Sequence, residues 1–157
     1  MGRFVSDPTE DIAGATVSYS GGSTTTDANG NYTLSNVPAG SYTMTASHTG
    51  WFKQSKTVTV TSGATTTANF TLATGGKVGG TVTDSSATPI VGATVSITGG
   101  SITTTVNTTT DSTGAYNSDW VPVGTYTVTV TASGFTTQSG TANVTTGTTT
   151  TLNFTMH

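Results

Sequence analysis

The fold of this 157-residue chain is set by the stretch Thr26-Asp27-Ala28-Asn29-Gly30-Asn31-Tyr32, followed closely by Val37-Pro38-Ala39-Gly40-Ser41-Tyr42. Both stretches return later, as Thr110-Asp111-Ser112-Thr113-Gly114-Ala115-Tyr116 and Val121-Pro122-Val123-Gly124-Thr125-Tyr126. Asp and Gly favour one tight turn, and Pro followed by Gly favours a second. Each copy therefore predicts two turns around a short strand, with each tyrosine opening a strand.

The repeat extends over almost the whole chain. Gly14-Ala15-Thr16-Val17 matches Gly92-Ala93-Thr94-Val95, and similar matches continue to the last residues. The second copy has extra residues in 101–110, where the first copy has only 23–26. Because insertions are tolerated at loop tips, the longer segment predicts the end of a hairpin.

A duplication of this length predicts two domains, which we place at residues 1–73 and 74–157. Each domain is small enough that burial of its core is marginal. Leu72-Ala73-Thr74-Gly75-Gly76-Lys77 is interpreted as a short linker between them.

The second copy resembles the carboxypeptidase regulatory-like domain, from Gly80-Thr81-Val82-Thr83-Asp84 to Met156. The shared pattern combines G-x-V-x-D, P-I-x-G-A-x-V, T-D-x-x-G-x-Y, V-P-x-G-x-Y and S-G-F. The first copy departs from it, since Asp11-Ile12-Ala13 precedes Gly14 and Trp51 replaces Phe. The resemblance implies a transthyretin-like β-sandwich without catalytic residues, used as a stalk, accessory module or surface domain.

Charged residues make up only 7% of the chain, compared with roughly 25–35% on an ordinary soluble surface. The net charge of −3 with four Lys and Arg residues provides no basic stripe, which argues against nucleic acid as a partner. The absence of cysteine excludes disulfides and thiolate metal sites. No apolar run approaches the length of a membrane span, so we expect a soluble chain without membrane insertion.

Threonine replaces charge and accounts for 43 of the 157 residues. In residues 126–132, 57–61 and 152–156, threonine or asparagine alternates with apolar residues. Alternation with a period of two is typical of strands with one buried face, and no segment has helical periodicity. We therefore predict an all-β protein of two tandem immunoglobulin-like or transthyretin-like antiparallel β-sandwich domains.

No catalytic constellation stands out. His48 and His157 are the only histidines, and neither has a counterpart in the other copy, whereas a hydroxyl nucleophile needs a nearby base. Asp27 opens a loop with alternating oxygen donors, but no glutamate follows at the spacing of a calcium loop. We predict that the chain is not an enzyme and has no metal or cofactor.

Glycosylation is the predicted modification. Asn-x-Ser/Thr sequons occur at Asn31, Asn69, Asn107, Asn143 and Asn153. The threonine candidates lie in runs and are Thr24, Thr25, Thr66, Thr104, Thr109 and Thr149. In the alternative interpretation, threonine is only a good outward strand residue and the sequons arise by chance. Glycans are favoured because something must keep an almost uncharged β surface soluble.

Residues at the chain ends and one tryptophan are candidates for contact with a partner. The interface candidates are Trp120, Arg3, Phe4, Val5, Phe154 and Met156. Trp120 corresponds to Asn36 in the first copy, so we interpret it as a contact with a neighbouring subunit or a sugar ring, with core packing as the alternative. Uncharged sheet edges favour pairing with another chain.

Together these patterns predict a structural subunit of an extracellular fibre or surface array. Copies of the chain would be its own partners, joined head to tail by strand pairing or donation and covered with covalent glycans. The alternative is a stalk or a carbohydrate- or ligand-binding module of a larger cell-surface or secreted protein. A third hypothesis, an accessory domain of a secreted peptidase or glycosidase, depends on family analogy alone.

Overall fold

The computed structural model describes residues 5–157 of the chain. Its contacts divide the chain into two compact units, the first ending at Ala73 and the second beginning at Thr74. The predicted interface residues Arg3 and Phe4 lie outside the described residues. Residues 5–157 contain no helix, and the predicted all-β class is confirmed.

The strands are short and follow the alternating segments of the sequence. Up to Thr71 they are β1 (Val5–Ser6), β2 (Thr16–Tyr19), β3 (Gly22–Thr25), β4 (Gly40–Ser47), β5 (Trp51–Phe52), β6 (Gln54–Val60) and β7 (Phe70–Thr71). The others are β8 (Ala73–Asp84), β9 (Thr94–Gly99), β10 (Val106–Thr109), β11 (Ala115–Asn117), β12 (Val121–Pro122), β13 (Gly124–Thr131), β14 (Gln138–Val144), β15 (Thr149–Thr151) and β16 (Phe154–Met156).

Each unit has one four-stranded antiparallel sheet, which we call its outer sheet. In the first unit the strand order is β3-β2-β4-β6, and in the second it is β10-β9-β13-β14. The same topology in both units confirms that the duplicated sequence encodes a duplicated fold. The predicted hairpin end is also confirmed, because β9 and β10 pair antiparallel around residues 100–105.

The sheet opposite the outer sheet contains parallel pairs that the sequence did not reveal. In the first unit β1 pairs in parallel with β7. In the second unit β8 pairs antiparallel with β11 and β12, and in parallel with β15 and β16. The chain leaves the edge strand of the outer sheet and crosses to the other sheet. It then runs beside the strand with which its unit began.

The predicted linker over residues 72–77 is wrong. Leu72 is fully buried, and β8 begins at the next residue. Gly75 and Gly76 pair with Pro122 and Val121 of β12. The missing side chain at Gly76 allows a close approach, because a Cβ atom there would collide with the carbonyl oxygen of Thr145.

Each unit has its own hydrophobic core, formed by the inward residues of the alternating strands. In the first unit the fully buried side chains include Val5, Val17, Met44, Phe70 and Leu72. In the second they include Val82, Val95, Ile97, Tyr126, Val128, Val130 and Met156. The period of two therefore places apolar residues inside and threonines outside, as predicted.

A buried threonine connects two turns in each unit. The Thr26 hydroxyl donates to the Ile12 carbonyl oxygen at 2.6 Å and accepts from the Ala15 amide at 2.8 Å. In the second unit the Thr110 hydroxyl donates to Ile90 at 2.6 Å and accepts from the Ala93 amide at 2.9 Å. These threonines are buried because their hydroxyls replace main-chain hydrogen bonds.

Three of the four repeated tyrosines lie in strands, and two of the four donate hydrogen bonds to a segment much later in the chain. Tyr42 and Tyr126 lie near the starts of β4 and β13, and Tyr116 lies in β11, as predicted. Tyr32, in contrast, lies outside the assigned strands, so the prediction that it opens a strand is wrong. Its hydroxyl donates to the Ala68 carbonyl oxygen at 2.5 Å, and that of Tyr116 donates to Leu152 at the same distance.

Candidate functional site

The outer sheet of the second unit presents a face made only of hydroxyl and amide side chains. β13 contributes Thr127, Thr129 and Thr131, which lie opposite Thr98, Ser96 and Thr94 of β9. On the two outermost strands, Asn107 and Thr109 of β10 and Ser139, Thr141 and Asn143 of β14 continue the same rows. None of these side chains is buried, and none is charged.

The first unit presents the same kind of face. Thr43 and Thr45 of β4 lie opposite Thr57 and Ser55 of β6, and the Thr45 and Ser55 hydroxyls are 2.7 Å apart. The further positions of this face, on all strands of its outer sheet, are Thr16, Ser18, Ser23, Thr25, Ser41, Ser47 and Thr59. The alternation of the sequence predicted outward threonines, but only the strand register shows that they form continuous rows.

Such a face can donate and accept hydrogen bonds, but it has no group that titrates near neutral pH. It can therefore bind or carry polar, uncharged material such as sugars. It cannot by itself supply the general acid and base that hydrolysis needs.

The predicted glycosylation residues are accessible, although their modification stays a prediction. All five sequon asparagines are exposed. Among the threonine candidates, Thr25, Thr104, Thr109 and Thr149 are exposed, whereas Thr24 and Thr66 are half-buried. The Thr66 hydroxyl donates to the Thr59 carbonyl oxygen at 3.3 Å, which makes it the least available of the set.

Trp120 is half-buried and is not part of the hydrophobic core of its unit. The Lys77 ammonium lies over its ring, 5.3 Å from the ring centre, a cation–π geometry. Trp51, in contrast, begins β5, packs against the core, and donates from its indole nitrogen to Asp7 at 3.4 Å. The packing interpretation of Trp51 is confirmed, and Trp120 remains a candidate contact residue.

The other described interface candidates lie inside their own units. Val5 and Met156 are fully buried, and Phe154 is 8% exposed. β16 pairs with β8 along Phe154–Met156, so these side chains fill the core of the second unit. They were predicted as contacts because they lie near the chain ends, but in the folded chain they are not displayed to a partner.

The strands at the sheet edges differ in how they are protected. β3 and β10 contain neither a charged residue nor proline, and such edges can pair with another strand. β6 carries Lys56, whose ammonium donates to the Asn69 carbonyl oxygen and lies 5.3 Å from the centre of the Phe70 ring. Lys56 was not among the residues predicted from the sequence. Its signal was a charge at a position where the alternation places an inward residue.

The aspartates of the repeated turns have a structural role. The Asp111 carboxylate accepts hydrogen bonds from the hydroxyl and amide of Thr113 and from the Ala115 amide, at 2.7–3.1 Å. Hydrogen bonds from the Thr113 side chain and backbone hold the pKa of Asp111 below its ordinary value. Amide donors from Asn31 and Asn29 lower the pKa of Asp27 in the same way. The turn interpretation of both segments is confirmed.

An open cleft of about 460 Å³ lies beside one of these turns in the second unit. Its lining includes Thr108, Asp111, Tyr116, Asn117 and Thr151. The Asp111 carboxylate is already held within its turn, and the cleft contains no histidine. Within residues 5–157, no cluster of three or more potential ligands could hold a metal ion, and no helix is long and apolar enough to cross a membrane.

The family model described as the carboxypeptidase regulatory-like domain matches residues 2–73 and, a second time, residues 77–157. A comparison with curated proteins found no match. Among solved structures, the chain is similar to the Bacillus anthracis TIE protein, with 20% identity over 99% of this chain and 33% of that one, at a TM-score of 0.46.

Two further structures are similar to this chain. The minor pilin GBS52 of Streptococcus agalactiae has 14% identity over 95% of this chain and 85% of its own, at a TM-score of 0.48. One chain of a type II cohesin–X-dockerin complex of Acetivibrio cellulolyticus has 31% identity over 52% of this chain and 57% of that chain, at a TM-score of 0.41. The chain thus spans a third of the TIE protein and somewhat more than half of the chain in the cohesin complex.

Proposed function

Because the chain belongs to the carboxypeptidase regulatory-like domain family through both of its units, we propose that it is a non-enzymatic structural module of a cell surface. In this proposal it is a subunit of an extracellular fibre or surface array. The observation that carries the proposal is the pair of outer faces built wholly from Ser, Thr and Asn in register across four strands. Faces of Ser, Thr and Asn side chains can form many hydrogen bonds but contain no acid or base for catalysis, so they suit a structural role.

Polymerisation by strand pairing is supported by the edges β3 and β10. Each is a four-residue strand of uncharged side chains, and within residues 5–157 each pairs with a strand on one side alone. Pairing there needs no rearrangement of the subunit. Strand donation would instead require Phe154 and Met156 to leave the core of their own unit, so we place the head-to-tail contact at an uncharged edge.

A glycan coat on the outer faces is the second part of the proposal. An almost uncharged surface with dense hydroxyls lacks the electrostatic repulsion that keeps most proteins apart in solution. Sugars on exposed Thr and Asn would replace that repulsion by hydration and bulk. The same sugars would protect an extracellular chain from proteases.

Electron microscopy of native material, combined with intact mass on the same sample, tests the proposal. We expect ordered fibres or sheets and a mass per chain well above the 15.7 kDa of the bare sequence. Single particles at the bare mass, which remain single at high concentration, would contradict it.

Trp120 favours a second candidate function, a stalk or binding module that displays a carbohydrate contact. Its half-exposed ring beside Lys77 would stack on a sugar or on a residue of a partner protein. A glycan array with the wild-type chain and the variant W120A would test this function. Binding that is lost in W120A would support it, and an array without wild-type binding would contradict its carbohydrate form.

A further inference from the structure

The outer faces of the two units differ in a way that points to a specific modification. Every described position of the first face is Ser or Thr, whereas the second face contains two asparagines, Asn107 on β10 and Asn143 on β14. These are the two edge strands of that sheet. Each asparagine begins a sequon, completed by Thr109 and Thr145 respectively.

Both asparagines are held in the same orientation. The side-chain oxygen of Asn107 accepts a hydrogen bond from the hydroxyl of Ser96, its cross-strand neighbour, at 2.7 Å. The side-chain oxygen of Asn143 accepts one from the hydroxyl of Thr125, also its cross-strand neighbour, at 2.9 Å. Because each oxygen is directed toward the inner strand, each amide nitrogen is directed away from it. That nitrogen is the atom to which an N-linked sugar is joined.

The sequon at Asn31 is a useful contrast. Asn31 lies within the repeated turn, where its main-chain amide donates to the Asp27 carboxylate at 2.9 Å, whereas Asn107 and Asn143 lie in strands. The side-chain hydrogen bonds of Asn107 and Asn143 use the oxygen of each amide group and not the nitrogen, and both residues are exposed.

The edges concerned lack another form of protection. In the first unit, β6 has the inward-pointing Lys56, a known type of safeguard against edge pairing. The equivalent position of β14 is Gly140, and β10 has no charge at all. The second outer sheet therefore has two uncharged edges, and each carries one outward-directed sequon.

We infer that Asn107 and Asn143 are N-glycan acceptors, and that their sugars cover both edges of the second outer sheet and prevent lateral pairing there. This inference rests on the proposed extracellular function and adds its regulation. The edge β3 of the first unit carries neither a sequon nor a charge, and it therefore stays open as one of the surfaces for assembly.

The modification needs a donor of a defined class, an oligosaccharide joined at its anomeric carbon to a lipid pyrophosphate, together with its transferase. The amide nitrogen attacks the anomeric carbon, where a carbon–nitrogen bond forms as the carbon–oxygen bond to the pyrophosphate breaks. The lipid pyrophosphate leaves with the bonding electron pair, and the amide loses one proton to the transferase or the solvent.

Expression in a secretory host that modifies sequons, followed by glycopeptide mapping, tests the sites. We expect glycans at Asn107 and Asn143 of the secreted chain. The variants N107Q and T109A should each lose one glycan, whereas T109S, which preserves the sequon, should not; N143Q, T145A and T145S form the same set for the second site. Bare asparagines at both sites in the wild-type chain would overturn the inference.

The role of the sugars is tested with the double variant N107Q/N143Q. This variant is preferable to enzymatic removal, which leaves a charged aspartate at each site. We expect wild-type fibres to remain thin, and fibres of the double variant to bundle laterally to at least twice their width in electron micrographs. Equal widths, with equal melting temperatures for both proteins, would overturn the edge-covering role.

The outcomes separate this inference from the proposed function. Fibres formed by a chain with bare Asn107 and Asn143 would overturn the inference and support the function. Single molecules with both sites occupied, which remain single in the double variant, would support the sites but overturn the fibre function and the edge-covering role.

Discussion

The first unit has Lys56 on edge strand β6, and the second has Gly140 at the equivalent position of β14. A second pair of equivalent positions differs in size, since the small Ala68 of the first unit corresponds to Leu152 of the second. Leu152 occupies the space beside Gly140, where a Cβ atom would lie 3.2 Å from its Cδ2 atom. The ammonium of Lys56 instead lies over the ring of Phe70, 5.3 Å from its centre. The duplicated units therefore preserve their turns but differ at an edge strand, and we expect the two differences to be coupled.

The largest expected effect concerns the glycines that both units share in the repeated turn. Gly30 and Gly114 have φ angles of +69° and +74°, and an added Cβ would lie 2.5 Å and 2.6 Å from the carbonyl oxygens of Val5 and Val82. We expect G30A and G114A each to destabilise their own unit by about 3 kcal/mol, the sum of backbone strain and a backbone clash. Hydrogen exchange followed on peptides of each unit would measure this.

Gly147 provides the control for that measurement. It has a similar φ angle of +71° but open space where the Cβ would lie. G147A should therefore cost about 1 kcal/mol, from strain alone. Equal losses in G114A and G147A would show that the contact with Val82 is not important.

The buried threonines should have the next largest effect. T26V and T110V preserve the shape of the side chain but leave one carbonyl oxygen and one amide without a partner, as at Ile90 and Ala93 in the second unit. We expect a loss of about 2 kcal/mol in the unit that carries the substitution, measured by urea unfolding. T110S, which preserves the hydroxyl, should recover most of that loss; a T110V variant as stable as the wild type would contradict the role given to the hydroxyl.

Placing the edge residues of the first unit into the second tests whether the differences at the two positions are coupled. G140K should destabilise the second unit by about 1.5 kcal/mol, because the new side chain competes with Leu152 for the same space. Adding L152A, which reproduces the Lys–Ala combination of the first unit, should make the pair of substitutions less costly than the sum of the single ones. A double-mutant cycle with zero coupling would show that the two differences arose independently.

The smallest effect is expected at the paired tyrosines, and it depends on pH. Burial raises the pKa of Tyr32 and of Tyr116 to about 12, above the value of about 10 for an unfolded chain. The stability associated with the neutral phenols is therefore complete below pH 10 and is lost as the pH rises from 10 to 12. In unfolding experiments at several pH values, Y32F and Y116F should be less stable by about 1 kcal/mol at pH 7 and should show a weaker decline above pH 10.

Much of the fold could be predicted from local patterns in the sequence. Asp111 and Gly114 predicted a turn because their side-chain acceptor and positive φ angle act within a few residues. Alternation placed Val128 and Val130 in the core for the same local reason. Gly75 and Gly76 were interpreted as part of a short linker, because a linker and a close contact between strands favour the same residue.

The candidate site was predictable only in part. Outward threonines followed from alternation, but the rows that they form depend on the register between strands that are distant in the sequence. The position of Asn107 beside Ser96, and of Asn143 beside Thr125, depends on the same register. Asn31, in contrast, lies in the locally predicted turn, where its main-chain amide donates to Asp27.

The sequence by itself determined the duplication, the all-β class, the turns and the division of residues between core and surface. All of these follow from short-range steric preferences and from the period of two in a strand. Only the tertiary structure decided that the closing strands run parallel to the opening ones, that Val5, Phe154 and Met156 fill the core, and which strands form the edges. Those features depend on which distant segments pair, and pairing is selected by the packing of the whole unit.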